Sequence, residues 1–215
     1  MTEPDVTLTD YGIALECAIL AGLLYRRRAV RGDLRRLFVL FFASSALGAL
    51  AGGTVHGFFL DGGSAAGATL WRAALLALGA TAFAAWSIGA RLAFTGRTAR
   101  IVQALAALEL AAYAVIVIAF DQRFLVAIAN YAPAVAFLAL SFLIAHRRNG
   151  GRPFLAGLAG LLLTAVAAVV QRRGIALHPT LFNHNALYHA IQMVAFVLIF
   201  QAGRYVMTAP AAAER

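Results

Sequence analysis

Seven apolar runs, each long enough to cross a bilayer as a helix, constrain the fold of this chain more than any other feature. A spanning helix needs about 20 apolar residues, and backbone polar groups in lipid must bond within their own segment. The chain is 62% hydrophobic and 13% charged, whereas soluble domains are nearer ~45–50% apolar. We therefore predict an all-α polytopic membrane protein, one domain over residues 1–215, with transmembrane helices at about 11–25, 37–60, 70–94, 101–120, 124–145, 153–170 and 185–206.

The arginines predict how this bundle is oriented. Cytoplasmic loops of membrane proteins are enriched in Lys and Arg, and here arginine-rich segments follow the first, third and fifth runs, with further arginines after the seventh. The N-terminus is therefore predicted outside and the C-terminus in the cytoplasm. Arg172 and Arg173 break the pattern, and we interpret them as interfacial or functional. Since topology accounts for the net charge of +9, no nucleic-acid partner is predicted.

Several classes of membrane protein are disfavoured by what the sequence lacks. There is no lysine, so a retinal Schiff base cannot form. The sequence has no phosphate-binding glycine loop and no Ser-His-Asp or Cys-x-x-Cys arrangement, so no nucleotide ligand is predicted. Its single cysteine, Cys17, excludes an intrachain disulfide. The absence of a clear inverted repeat weakens a transporter interpretation.

Polar residues of the last run point to a site. Asn185, His189 and Gln192 have i, i+4, i+7 spacing and so share one helix face. Polar groups inside a bilayer are unfavourable and usually mark a site or a polar interior. With the predicted orientation, polar residues from the other runs map to the same outer half of the membrane: Asp10, His56, Asp61, Asn130 and Gln171. A single polar site near the outer face explains this convergence.

The histidines of this region are candidate metal ligands. Catalytic zinc is held by three protein ligands and a water whose pKa falls to about 7, and His56, His189 and His184 are the available imidazoles. His184 and His189 are five residues apart, which is roughly 140° around a helix. Either His184 lies on a non-helical lead-in, or Asn185 takes the better-aligned position. The alternative is that the histidines are interfacial hydrogen-bonding groups.

Carboxylates and other polar side chains complete the predicted site. Asp61 and Asp10 are candidates for the general base or for partners that orient a histidine. Substrate contacts or support for the ligands are expected from Asn185, Gln192, Thr54, Tyr188 and Asn130. Two carboxylates lie deeper in the membrane: the role of Glu16 is left open, and Glu109 is expected to bond the hydroxyl of Tyr113.

Two short motifs resemble the CREST superfamily, which includes alkaline ceramidases, progestin and adipoQ receptors and haemolysin III-like proteins. Residues 52–58, Gly-Gly-Thr-Val-His-Gly-Phe, are similar to its Ser-x-x-x-His-x-Phe motif, and residues 185–189 are similar to its His-x-x-x-His. The family serine falls on Gly52, the first histidine of the pair falls on Asn185, and the third-segment aspartate has no counterpart. Residues 182–192 also resemble a little-characterised bacterial membrane family.

The resemblance implies a seven-helix fold in which His56 and His189 bind zinc, in a bacterial inner membrane. It further implies hydrolysis of an amide or ester bond of a lipid that enters from the bilayer. Two alternatives remain at this point. One is a non-catalytic sensor, receptor or ligand-binding protein, and the other is a haem protein with His56 and His189 as axial ligands.

Overall fold

The structure, a computed structural model, describes residues 1–60 and 63–208. Seven α-helices lie within these ranges, and each is long and apolar enough, by length and composition, to cross a membrane. They are α1 Pro4–Arg26, α2 Gly32–Phe58, α3 Ala65–Ala93, α4 Gly96–Ala119, α5 Phe124–Asn149, α6 Arg152–Arg172 and α7 His184–Thr208. The prediction of an all-helical chain with seven candidate spans is confirmed.

Several helices begin earlier than hydropathy predicts. α1 begins at Pro4 instead of 11, and α2 begins at Gly32 instead of 37. Hydropathy marks only the apolar part of a helix, whereas the helix itself continues for as long as its backbone N–H and C=O groups can form hydrogen bonds with each other. At the start of α1, proline occupies the first turn, where its missing N–H is not needed. The acidic and hydroxyl residues from Asp5 to Asp10 are therefore helical and can face neighbouring helices.

Six helices form a closed ring, and the seventh lies outside it. Going round the ring, α1 packs against α2, α2 against α3, α3 against α5, α5 against α6, α6 against α7, and α7 returns to α1. The peripheral helix is α4, which packs against α3. The ring brings the first and last helices together, so residues at opposite ends of the sequence can form one site.

The two ends of the bundle differ in chemistry. At the site end, defined by the starts of α1 and α7 and the ends of α2 and α6, Thr2 N–H donates to the carbonyl of Gly57 at 3.0 Å. The opposite end, the arginine end, carries the α1–α2, α3–α4 and α5–α6 connections. There Arg148 donates to the carbonyl of Ala93 at 2.8 Å. The arginine-rich connections thus lie at one end of the bundle, and His56, Asp10 and His189 lie toward the other.

Aromatic side chains fill the ring interior between α2 and α7. Phe42 meets Phe196 and Phe200 edge-on, with ring centroids 6.1 and 6.2 Å apart. Between α6 and α7 the backbones approach closely, because a Cβ on Gly160 would lie 2.6 Å from the carbonyl oxygen of Ala195. This packed interior fixes the helix ends that carry the polar residues.

Candidate functional site

The start of α1 is hydrogen-bonded to the end of α2. The N–H of Glu3 donates to the carbonyl of His56 at 3.3 Å, and Glu3 Oε2 lies 2.6 Å from His56 Nδ1. An ionised carboxylate can only accept, so Nδ1 carries the proton and Nε2 carries the lone pair. The two side chains are 26% and 34% exposed. His56 is therefore an oriented imidazole with one basic nitrogen left for other contacts.

Two glycines of α2 set this register. A Cβ on Gly53 would lie 2.6 Å from the Asp10 Cβ, and one on Gly57 would lie 3.0 Å from Thr7. The contact at Gly53 is shorter than a side chain tolerates and the one at Gly57 is tight, so small residues of α2 let α1 approach this closely. Gly52, where the resembled family has serine, would place a Cβ 3.9 Å from Asp10 Oδ2.

Asp10 and Thr9 of α1 hold His189 of α7. Asp10 Oδ1 lies 3.3 Å from His189 Nε2, and Thr9 Oγ1 lies 3.0 Å from His189 Nδ1. Both Asp10 and His189 are buried. Both ring nitrogens of His189 therefore contact side chains of α1, and neither is open to a ligand in this arrangement.

The start of α7 is bound to both α1 and α6. Asn183 Oδ1 accepts from the N–H groups of Asn185 and Ala186 at 2.9 and 3.1 Å, which satisfies the free donors of a helix start. The N–H of Asn183 donates to Asp5 Oδ2 at 2.9 Å. Asn185 Oδ1 accepts from Gln171 Nε2 of α6 at 3.0 Å. Asn185 thus bonds to α6 while His189 bonds to α1.

Deeper in the bundle, two amides have an atom without a partner. Gln192 Nε2 donates to Thr164 Oγ1 at 3.2 Å, but Gln192 Oε1 is buried and accepts no hydrogen bond from the residues that the structure describes. Asn130 Nδ2 of α5 is also buried and donates no hydrogen bond to the residues that the structure describes. Buried polar groups are rarely left unpaired, so these two atoms are potential contacts for a polar ligand.

The remaining predicted residues lie in different places. His184 is the first residue of α7, so the non-helical lead-in is excluded and its side chain points roughly 140° away from His189. Tyr188 packs beside His189 with ring centroids 5.1 Å apart. Asp61 lies outside the described residues. Asp10 and His189 are therefore in contact, His56 lies at the same end of the bundle with Glu3 as its partner, and His184 is turned away from His189.

Thr54 faces away from His56. Two residues along a helix are roughly 200° apart, and Thr54 Oγ1 contacts the Tyr11 hydroxyl at 3.1 Å. Thr54 also borders an apolar groove of about 760 Å³ between α2 and α3, which runs from Leu47 to Thr54 and from Leu70 to Ala77. Because this groove is on the far side of α2, Thr54 does not support the His56 site as predicted.

Residues whose role was left open are separate from the site. Glu16 Oε2 and Glu109 Oε2 have no hydrogen-bond partner within the described ranges. The expected Glu109–Tyr113 bond is wrong, since the Tyr113 hydroxyl donates to the carbonyl of Leu75 at 2.9 Å. Arg172 and Arg173 are exposed at the end of α6, where a positive charge complements the helix dipole.

A zinc centre does not fit the side chains as they are arranged. Within residues 1–60 and 63–208, no three His, Cys, Asp or Glu side chains come together as ligands. His56 has an open Nε2, but Nε2 of His189 faces Asp10 and Nδ1 faces Thr9. A bis-histidine haem meets the same obstacle. Zinc and haem therefore stay predictions, and no step below passes through either.

Sequence reasoning missed Glu3, Asp5, Thr9 and Thr164 as members of the site. Glu3 and Asp5 precede residue 11, where the first helix is predicted to begin. One signal could have found them: three carboxylates and two threonines at 3, 5, 7, 9 and 10 continue the helical register of α1 toward the polar end of α7.

Comparison with known proteins identifies a family but no characterised relative. No curated protein and no solved structure matches the chain, and the CREST resemblance stays a prediction. One family model, described as "Family of unknown function (DUF6962)", matches residues 6–208. This match includes all seven helices, apart from the first two residues of α1. The chain therefore belongs to the DUF6962 family.

Proposed function

We propose that this protein is a membrane-embedded hydrolase that cleaves an amide or ester bond of a lipid, with His56 as general base. The contact of 2.6 Å between Glu3 and His56 carries this proposal. A carboxylate that accepts from one ring nitrogen orients the imidazole and leaves the other nitrogen basic, which is the arrangement that general-base catalysis requires.

The reaction needs only water as the second reactant. His56 Nε2 takes a proton from a water molecule as its oxygen attacks the carbonyl carbon of the lipid. The tetrahedral intermediate then collapses, and the imidazolium returns the proton to the leaving nitrogen or oxygen. The products are a carboxylic acid and an amine or alcohol. Glu3 stabilises the positive charge on the ring between the two steps.

The depth of His56 supports a lipid as the substrate. His56 lies two residues before the end of α2, and the ends of spanning helices lie near the boundary between hydrocarbon and headgroups. Amide and ester linkages of membrane lipids lie at this boundary. A lipid therefore needs little displacement from the bilayer to bring its carbonyl to the imidazole.

The distribution of arginines supports a particular membrane and a particular orientation of the bundle in it. A bacterial inner membrane is proposed, with the arginine end in the cytoplasm and the site end outside. In that orientation the substrate comes from the outer leaflet.

Hydrolysis of defined lipids by the purified protein in nanodiscs tests the proposal. A panel of ceramide-like amides and glycerol esters is incubated with wild type and with His56→Asn, and the fatty acid released is measured. Loss of a general base lowers the rate by about 10²–10⁴-fold. Glu3→Gln is expected to lower the rate less than His56→Asn does, because the imidazole stays in place and only the carboxylate that orients it is lost.

The matched control is His146→Asn, which changes a histidine at the arginine end, where Nδ1 lies 3.1 Å from the carbonyl of Gly151. Wild-type rates in His146→Asn together with loss in His56→Asn support the dyad. Equal rates in wild type and His56→Asn would rule out His56 as the base.

A second candidate, a ligand-binding sensor without catalysis, is favoured by the unpaired Gln192 Oε1 and Asn130 Nδ2. A polar ligand group that reached either atom would supply the hydrogen bond it lacks. Its test is the set of lipids that copurify with wild type, measured by mass spectrometry. A lipid retained by wild type and His56→Asn, but lost from Gln192→Leu, supports this candidate.

A further inference from the structure

The α6–α7 loop, residues 173–183, is the longest connection between two helices of the bundle. It lies at the site end and carries three large apolar side chains that are exposed. Leu177 and Leu181 are each 74% exposed, and Ile175 is 52% exposed. Apolar side chains that are exposed close together usually mark a contact with a protein or a membrane. The loop is therefore a candidate contact surface outside the His56 site.

The first part of the loop is closed onto the end of α6. Gly174 has a φ of +66°, and the N–H groups of residues 173, 174 and 175 donate to carbonyls of the last turn of α6 at 2.9, 3.1 and 3.1 Å. This is the Schellman arrangement, in which a glycine in the left-handed region lets the chain turn back on its own helix. The chain thus leaves α6 with its backbone donors already bonded.

The tip of the loop, residues 178–182, is closed onto the ring of His178. His178 Nδ1 accepts from the N–H of Thr180 at 3.3 Å and from that of Leu181 at 3.1 Å. The N–H of His178 donates to the carbonyl of Phe182 at 3.1 Å, and the N–H of Phe182 donates back at 3.2 Å. Pro179 has no N–H to satisfy. Every backbone donor of the tip is therefore bonded within the loop.

This closed backbone indicates an environment with little water. A loop in water can leave its donors to the solvent, whereas donors close to hydrocarbon must be bonded within the protein. The N–H of Asn183 donates to Asp5 Oδ2 at 2.9 Å, so only the N–H groups of Ala176 and Leu177 have no partner in the part of the chain that the structure describes. Bonded donors combined with exposed apolar side chains fit the boundary between headgroups and hydrocarbon.

The base of the loop carries positive charge. Arg172 and Arg173 are both exposed, and residues 172–183 include no Asp or Glu. Phosphate groups of lipids lie near the level at which a spanning helix ends, and arginines at this level are attracted to anionic lipids. This charge complementarity favours a phospholipid over an apolar protein surface as the partner of the loop.

We propose that the α6–α7 loop is a preformed membrane anchor that lies in the headgroup boundary of the leaflet at the site end. Ile175, Leu177 and Leu181 enter the upper part of the acyl region. Arg172 and Arg173 bind lipid phosphate groups. The partner is the phospholipid of the bilayer itself, with a preference for anionic headgroups. The anchor needs only a bundle that spans a membrane and does not depend on the hydrolase proposal.

A single fluorescent label on the full chain in nanodiscs measures where the loop lies. Cys17 is buried and is removed in a Cys17→Ala background, into which Leu177→Cys or Leu181→Cys is introduced for an environment-sensitive dye. Leu108→Cys, at an exposed position of α4, gives the hydrocarbon reference. Thr95→Cys, in the connection between α3 and α4, gives the aqueous reference.

Both loop labels are expected to emit between the two references, to be quenched by lipids that carry a spin label near the headgroup, and to resist quenching by iodide in the water. Emission and iodide quenching equal to those of Thr95→Cys would overturn the proposal. Protection from iodide without quenching by spin-labelled lipid would also overturn it, because a protein surface would then cover the loop.

The ring of His178 is expected to prepare the loop for this contact. His178→Ala removes the acceptor of two backbone N–H groups, so iodide quenching of the label at position 177 should increase. His178→Asn keeps an acceptor, because an asparagine side chain can bond the N–H two residues further on, and should stay close to wild type. Iodide quenching that is the same in His178→Ala as in wild type would contradict the role of the closed backbone.

Lipid mixtures test the two arginines. Spin-labelled phosphatidylglycerol is expected to quench the label at position 177 more strongly than spin-labelled phosphatidylcholine at the same mole fraction. The difference should disappear in the double variant Arg172→Gln/Arg173→Gln. It should persist in the control Arg123→Gln, since Arg123 is an exposed arginine that is already paired with Asp121. Equal quenching by the two lipids in wild type would overturn the assignment of lipid phosphate to the arginines.

Discussion

Asp10 Oδ1 lies 3.3 Å from His189 Nε2, and this contact links the first helix of the chain to the last. The two residues are far apart in sequence, and both are buried. Because α1 and α7 are neighbours in the ring, the pair lies at the position where the ring closes. It therefore has a structural role whether or not the site performs chemistry.

The ring-closing role predicts strong, coupled effects on stability. Asp10→Ala leaves a buried imidazole without its partner, and leaving a buried polar group unsatisfied destabilises by roughly 1–3 kcal/mol. His189→Ala should have a similar effect. The double variant should be less destabilised than the sum, with a coupling of about 0.5–3 kcal/mol. Reversible unfolding in mixed micelles measures all three variants, and additive effects would contradict the contact.

Close approach of α1 and α2 predicts a glycine-specific effect. In Gly53→Ala the new Cβ would lie 2.6 Å from the Asp10 Cβ, and overpacking of this kind destabilises by about 1–3 kcal/mol. The matched control is Gly22→Ala, a helical glycine of α1 with no atom within 4 Å of its Cβ. There the gain in helix propensity should stabilise by about 0.5–1 kcal/mol. A thermal-shift assay compares the two, and equal effects would argue against close packing at Gly53.

Much of the fold and part of the site could be predicted from the sequence. Seven apolar runs gave the seven helices, because spanning length and hydropathy are local properties. The alternation of helix direction brought His56, Asp10 and His189 to one end without knowledge of packing. The spacing of His189 and Gln192 also predicts that they share one face of α7, and both are buried.

What the sequence could not give was which helices share that end as neighbours. Asn185 and His189 lie on one face but bond to different helices, Gln171 on α6 and Thr9 and Asp10 on α1. Glu3 was missed because hydropathy places the start of α1 too late. Pairing at this level depends on the ring order and on the register set by Gly53, which are properties of packing.

The arginine distribution predicts the orientation of the bundle in a cell. Fusion of a periplasm-active phosphatase after residue 60 should be active, and fusion after residue 95 should be inactive, because short arginine-rich loops stay in the cytoplasm. A fluorescent protein that folds only in the cytoplasm should give the opposite pattern at the same positions. Phosphatase activity at residue 95 with fluorescence at residue 60 would reverse the proposed orientation.

The partners of His189 predict that the purified protein holds less than one zinc per chain. Nδ1 is hydrogen-bonded to Thr9 and Nε2 lies 3.3 Å from Asp10 Oδ1, so a metal would have to displace Asp10 before it could bind. Elemental analysis of protein purified in detergent measures the zinc content, and an absorption spectrum of the same sample detects haem. Asp10→Ala frees Nε2 and should raise zinc uptake when zinc is added, while His146→Asn should leave it unchanged.

The opposite result would revise the site in a defined way. One zinc per chain in wild type, lost in both His56→Ala and His189→Ala, would mean that Asp10 yields Nε2 to the metal and that zinc binding rearranges the α1–α7 contact. Glu3 would then accept the Nδ1 proton of His56 and orient Nε2 toward the metal, as carboxylates do for metal-bound histidines. A Soret band lost in the same two variants would instead assign the imidazoles to haem. Since each outcome changes the partner of His189 Nε2, the metal content also decides whether Asp10 or a metal ion holds His189 where the first and last helices meet.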